Sequence, residues 1–166
     1  MNSDEETNFN IGNAGASETI PIKAGSCKKG VHVMLKGNPC KVIDVSTSKT
    51  GKHGHAKINI TGIDIFSGKK YQESSPTSHN LMQPVITKQD YQLVELDNDD
   101  FLTLLDENGS VREDLTLESD DNDLTSRLKE DFKAGKEIMV TIQKCLQKEK
   151  VISYKIITPW MIWYLF

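Results

Sequence analysis

The sequence predicts a mainly β protein made of two small barrels in series, the second carrying one short helix. Three observations lead there. Short apolar runs alternate with period two and are separated by Gly, Pro, Asn and Ser turn signals, the pattern of short barrel strands. One stretch, around Leu124, Leu128 and Phe132, instead repeats apolar residues four apart. The charge changes sign along the chain: residues 17–85 hold ten lysines against four acids (+6), and residues 86–157 hold ten basic residues against seventeen acids (−7). An asymmetry of that size gives the two halves different electrostatic tasks, the first suited to a phosphate-rich partner.

A length of 166 residues with 37% hydrophobic and 27% charged content supports two small folded units. Residues 1–16 are polar and acidic, without apolar periodicity, and read as a flexible tail with no secretory signal. No run reaches the roughly 20 apolar residues of a membrane-spanning helix, so the expected compartment is the cytoplasm and no membrane partner is expected. Cys27, Cys40 and Cys145 are odd in number and lack Cys-x-x-Cys spacing, which argues for reduced, structural thiols.

In chain order, Ile20-Pro21-Ile22 leads to Lys28-Lys29-Gly30, after which Val31, Val33 and Leu35 alternate as a strand. Residues 36–39 form a turn by composition, Cys40 to Val45 a second strand, and Ala56 to Phe66 a third. In the third, Gly62 changes the apolar spacing from two to three, which predicts a β-bulge there. Residues 67–70 turn into a strand from Tyr71 to Glu73, and Ser74 to Ser78 reads as a loop. The first unit ends at Pro84, where the charge balance changes, giving domains at 17–84 and 85–157. Tyr91 to Leu96, Phe101 to Leu105 and a run near Leu115 and Leu117 then read as strands, with Asn108-Gly109 as a hairpin signal. Asn122 to Lys133 is the predicted helix, with Asp120, Asp121 and Asp123 as candidate caps and Gly135 as its stop. Ile138 to Ile142 and Val151 to Ile157 complete a strand, strand, strand, helix, strand, strand order that fits a five-stranded barrel of the oligonucleotide-binding (OB) type.

Between the second and third strands lies a loop, Ser46 to His55, longer than the roughly two to five residues of an ordinary hairpin connection. Gly51 and Gly54 make a tight excursion cheap, while Lys49, Lys52, His53 and His55 leave it nothing to bury. Gly51-Lys52 does not complete a phosphate-binding loop, because Ser46 and His53 stand where a glycine and a Ser or Thr are needed. Ser48 with His53 or Asp44 lacks the second element that nucleophilic catalysis requires. His53 and His55 with Cys40 or His79 form only a weak metal-ligand pattern, so no metal is expected. What remains is a lysine on a cationic finger, a long-stemmed point charge that can enter an anionic cavity or be covalently modified. A plain single-strand RNA-binding loop and an enzyme using His53 or Lys52 as a base are the other classes considered.

The run from Ser46 to Lys57, Ser-Thr-Ser-Lys-Thr-Gly-Lys-His-Gly-His-Ala-Lys, resembles the hypusine loop of the eukaryotic translation initiation factor 5A family, relatives of bacterial elongation factor P. Further matches are Leu35 to Lys41, Gly62 to Tyr71, Ser78-His79-Asn80 and Val111 to Leu115. The resemblance implies an N-terminal SH3-like barrel carrying the loop and a C-terminal OB fold. It implies that Lys52 is the hypusine site, receiving an aminobutyl group from spermidine through deoxyhypusine synthase and then a hydroxyl through deoxyhypusine hydroxylase, with no other cofactor. Lys49, Thr50, Gly51, His53, Gly54, His55 and Lys57 would present it to the synthase and to RNA. The implied protein is not an enzyme: it binds the ribosome near the E site, meets the acceptor arm of the P-site tRNA, relieves stalling at sequences such as polyproline, and assists termination. Residues 158–166 depart from the family, whose members end in an Ala-rich helix. This apolar extension holds both tryptophans and is expected first to pack on the second barrel, with self-association or an unusual reading of the gene as the alternatives.

Overall fold

The computed structural model describes residues 18–49, 54–118 and 123–158. The acidic tail, the caps Asp120 and Asp121, and all of the apolar extension except Thr158 lie outside the described residues. The fold is mainly β with one α-helix among the described residues. β1 (Thr19–Lys23), β2 (His32–Leu35), β3 (Asn38–Lys49), β4 (Ala56–Asp64), β5 (Lys70–Pro76) and β6 (Asn80–Pro84) come first. β2 to β5 form an antiparallel sheet in chain order, and β1 pairs with β6 as a separate ribbon. Ala24, Cys27, Val33, Leu35, Cys40, Val42, Ile58 and Ile60 fill the space between them.

β7 (Thr87–Leu96), β8 (Phe101–Leu105), β9 (Val111–Thr116), α1 (Asp123–Lys133), β10 (Ile138–Cys145) and β11 (Lys148–Ile156) follow, in the sheet order β11-β10-β7-β8-β9. This is the predicted order of three strands, a helix and two strands. A second core of Tyr91, Leu93, Leu102, Leu104, Leu128, Ile138, Val140 and neighbours shares no residue with the first. Leu128, fully buried, carries α1 onto this core, with Leu124 and Phe132 packed at its margin. The helix stops where predicted: Gly135 takes φ +77 and donates to the Phe132 carbonyl at 3.0 Å, and Lys136 donates to that of Asp131 at 3.2 Å. That paired reversal satisfies carbonyls the helix end would otherwise orphan.

Several expectations are corrected. Ser46 to Lys49 are strand rather than loop, because β3 pairs with β4 out to Lys49↔Ala56. Ser74 to Pro76 likewise belong to β5, which pairs with β4 as far as Lys57↔Pro76. In both places a backbone ladder to a well-held neighbour outweighs polar side-chain composition. Asn38 and Pro39 are the first residues of β3 rather than the close of a turn, and Pro21 and Pro84 sit in the β1–β6 ribbon, where an edge position tolerates a missing N–H.

The bulge falls opposite Gly62, not on it. Val42 pairs with Gly62 and Asp44 with Thr61, so Ile43 is the extra residue and β3 changes phase. β4 keeps its phase, with Ile58, Ile60, Gly62 and Asp64 all buried while Ile63 is exposed. Gly62 is required by crowding: a Cβ there would lie 2.8 Å from Cys40 Cβ and 2.9 Å from Leu35 Cδ1. Gly62→Ala is therefore expected to lower unfolding free energy by about 1–3 kcal/mol, read as a lower urea midpoint at unchanged slope. Buried Asp64 is satisfied by the turn it begins, its Oδ1 accepting from the Phe66 N–H at 2.8 Å and the Ser67 N–H at 3.2 Å.

In the second barrel the Tyr154 hydroxyl donates to Asp131 Oδ2 at 2.7 Å, tying β11 to α1. Burial, and then this bond to a carboxylate, push the phenol up to about 12. A raised folded-state value means stability that is complete below the ordinary tyrosine range near 10 and is lost as pH rises through the folded value. Alkaline unfolding of the wild type should therefore lose stability above about pH 10 that a Tyr154→Phe chain does not lose. Comparing the two at pH 9 and pH 12 checks it.

Candidate functional site

The β3–β4 hairpin outgrows its own barrel. Val45↔Ile60 is the last pair adjoining the core on both strands, and pairing continues four residues further to Lys49↔Ala56, about 14 Å at the usual strand rise. Ser46, Thr47, Ser48 and Lys49 are all exposed. β4 is braced along this length by β5, and the ladder is extended by the Thr77 N–H donating to the Ala56 carbonyl at 3.0 Å. Thr77 is itself held from below, its carbonyl accepting from the Gly25 N–H at 3.0 Å, and the Ala24 N–H donates to the His79 carbonyl at 2.8 Å. A Cβ at Gly25 would lie 3.1 Å from the Thr77 carbonyl oxygen and press on this brace.

This brace was not legible in the sequence. Residues 24–25 and 77–79 lie more than 50 positions apart, and the only local signal was a glycine between Ala24 and Ser26.

Of the predicted site residues, Lys49, Gly54, His55 and Lys57 are described, and all are exposed. Thr50, Gly51, Lys52 and His53 lie outside the described residues. Lys57 pairs with Ser48 and Lys49 with Ala56, so the two lysines stand on opposite faces of the ribbon, because successive strand residues alternate. The arm is thus basic on both faces rather than on one. Below it, Lys28, Lys29, Lys36, Lys41, Lys69 and Lys70 are exposed too, with Lys29 placed 3.9 Å from Asp44. His32 is half-buried beneath Lys41 and Lys88, and burial, then those two cations, hold its imidazole below the usual histidine range.

Among the described residues, the alternatives that involve Ser48, Asp44 and the cysteines can be placed. Ser48 and Asp44 lie four residues apart on one extended strand, about 13 Å, far beyond hydrogen-bond reach. Cys40 is fully buried, and its thiol is pushed up to about 11 by burial and then by Asp64. Burial raises Cys27 and Cys145 in the same direction, so all three described thiols are unreactive at neutral pH. Among the described residues, no group of three or more His, Cys, Asp or Glu could hold a metal ion. No helix among them is long and apolar enough to cross a membrane.

Comparison with known proteins bears on the whole chain. The family described as "Translation initiation factor 5A-like, N-terminal" matches residues 17–79, and that described as "Eukaryotic elongation factor 5A hypusine, DNA-binding OB fold" matches residues 85–155. Eukaryotic translation initiation factor 5A of Spodoptera exigua is 48% identical over 151 residues, covering 91% of this chain and 93% of the relative. The chain belongs to the eukaryotic translation initiation factor 5A family. The 5A-3 factor of Arabidopsis thaliana is similar to it at 46% identity over 157 residues, 95% of this chain and 99% of the relative. Among solved structures, a translation initiation factor 5A family protein from Naegleria fowleri has 44% identity and a TM-score of 0.77, covering 84% of this chain and 99% of that one. Family membership accounts for an SH3-like barrel followed by an OB fold. It makes this chain a factor of the translation machinery.

Proposed function

We propose that the chain acts on the ribosome near the E site, with hypusine-modified Lys52 reaching toward the acceptor arm of the P-site tRNA. The observation that carries this reading is the braced β3–β4 ladder, whose β3 side is exposed from Ser46 to Lys49 and which leaves a six-residue connection containing Lys52 after Lys49↔Ala56. A braced base leaves fewer residues to be ordered when the tip binds, which lowers the ordering cost. Deoxyhypusine synthase would break a C–N bond of spermidine and form one to Nζ of Lys52, with propane-1,3-diamine leaving, and deoxyhypusine hydroxylase would then convert a C–H of the aminobutyl group to C–OH with dioxygen as the oxidant, so that one residue gains a second amine and a hydrogen-bonding arm.

The factor supplies no reacting group. The ribosome carries out peptide transfer, and the probe restricts the motion of peptidyl-tRNA whose residues align poorly, lowering the entropic part of the barrier at polyproline and at termination. Lys49 and Lys57, one on each face of the arm, add phosphate attraction without sequence reading. Thr50, Gly51, His53, Gly54 and His55 give the synthase a narrow segment to recognise. Intact mass of protein from its native cells should carry the hypusine increment, mapped to Lys52 by peptide analysis. An active population with unmodified Lys52 would sink the proposal.

A further inference from the structure

The outer face of the second barrel carries a groove whose floor is a row of residues across neighbouring strands. Register aligns Met139 of β10 with Gln92 of β7, Gln92 with Leu105 of β8, and Leu105 with Val111 of β9. Met139 and Leu105 are half-buried and line the groove with Gln92 between them, and Val111, 61% exposed, continues the row past its edge, so the row is a largely apolar seam on the side of the sheet away from the core. The seam ends at Ile157, which lines the same groove and whose N–H donates to the Glu137 carbonyl at 2.8 Å.

We propose that the groove is occupied by the chain's own segment 158–166. Four observations favour that occupant. Ile157, where the segment begins, is already part of the groove wall. The next residue, Thr158, has a buried Oγ1 with no hydrogen-bond partner among the described residues, so the segment starts from a covered position rather than from open solvent. Reach is ample: nine extended residues span about 30 Å, whereas β10 to β8 is two strand spacings, about 10 Å. Charge selects against the competing occupant, because the ionic residues of the groove are Asp90, Asp106, Glu107 and Glu137 against Lys88. That surface repels a nucleic-acid backbone. Residues 158–166 carry no Asp, Glu, Lys, Arg or His, and they place Trp160, Met161, Ile162, Trp163, Leu165 and Phe166 where an apolar seam needs cover.

The chain provides its own reporter, since Trp160 and Trp163 are its two tryptophans. In the dilute full-length protein, tryptophan emission should lie to the blue of its position in denaturant, be independent of protein concentration, and resist quenching by acrylamide. Met139→Glu alters a half-buried residue on the outer face and should leave the far-UV circular dichroism and first-barrel melting unchanged. It should move the emission to the red and raise acrylamide quenching severalfold. Emission already at its denatured position in the wild type would overturn the proposal. So would a blue shift that appears only with rising concentration and a dimer in sedimentation, which assigns the segment to a second copy, or one that requires added phosphatidylcholine vesicles, which assigns it to a lipid surface. Wild-type emission that Met139→Glu and Leu105→Glu both leave unmoved would place the segment elsewhere and equally overturn it.

Discussion

A Lys52→Arg chain is expected to fold as the wild type does and to lose its effect on polyproline synthesis completely. Arginine keeps the positive charge and approximate reach of lysine, so a loop working only by phosphate attraction would lose little: one such contact among several changes affinity modestly. What arginine lacks is the single primary amine on which the aminobutyl group is built. The neighbours of Lys52 that are described, Lys49 and Gly54, are exposed, and neither core includes a residue of 46–57. Substitution at such a position ordinarily shifts stability by no more than about 0.5 kcal/mol. The expected result is therefore a divorce of readouts: unchanged melting, no hypusine increment by mass, and polyproline reporter output at the level of cells without the factor. Retained output from the arginine chain would favour a general RNA-binding loop. A salt titration of RNA binding by wild type and Lys52→Ala distinguishes the two further, since a plain basic loop predicts a steep salt slope barely changed by one residue.

How much of this could be read from the sequence depends on the range of the interaction that determines each feature. The helix ending at Gly135 was legible because its apolar spacing and its stop are local signals. β8, from Phe101 to Leu105, was legible with its bounds for the same reason, lying between two turn-rich stretches. Ser46 to Lys49 was not, because nothing in Ser-Thr-Ser-Lys signals a strand. Its conformation comes from β4, which is held in turn by β5 and by the Gly25–Thr77–Ala56 hydrogen bonds. Gly62 gave a true signal that was assigned to the wrong strand. The glycine answers the closeness of Cys40 and Leu35, while the extra residue is Ile43 across the ladder, a pairing that alternation within one strand cannot reveal. The chemistry of the proposed site, an amine among glycines and cations, is a reading of the sequence alone, whereas the braced ribbon that leads toward it could not be read there.

The second large effect expected is a separation of the two cores. Leu128→Ala removes a fully buried side chain between α1 and the second barrel, and Ile60→Ala removes one from the first barrel at 1% exposure. Each is expected to cost about 2–5 kcal/mol, the transfer term plus the cavity left behind. Equal losses should nonetheless have unequal consequences. The two clusters have no residue in common, and the direct polar links between the barrels include Gln147 Nε2 donating to Glu18 Oε1 at 2.6 Å and Lys150 Nζ to the Phe66 carbonyl at 3.3 Å. Individual hydrogen bonds of this kind contribute on the order of 1 kcal/mol each, too little to pass several kcal/mol from one core to the other. Ile60 sits in β4, opposite Val45 at the root of the arm, so its loss loosens the ladder that leads to Lys52. Modification of Lys52 by purified deoxyhypusine synthase should fall sharply for Ile60→Ala at a temperature where Leu128→Ala, equally destabilised, is still modified at the wild-type rate. If both variants lose modification together and unfold in one transition, the barrels are a single cooperative unit, and the arm is held by the whole chain rather than by the barrel beneath it.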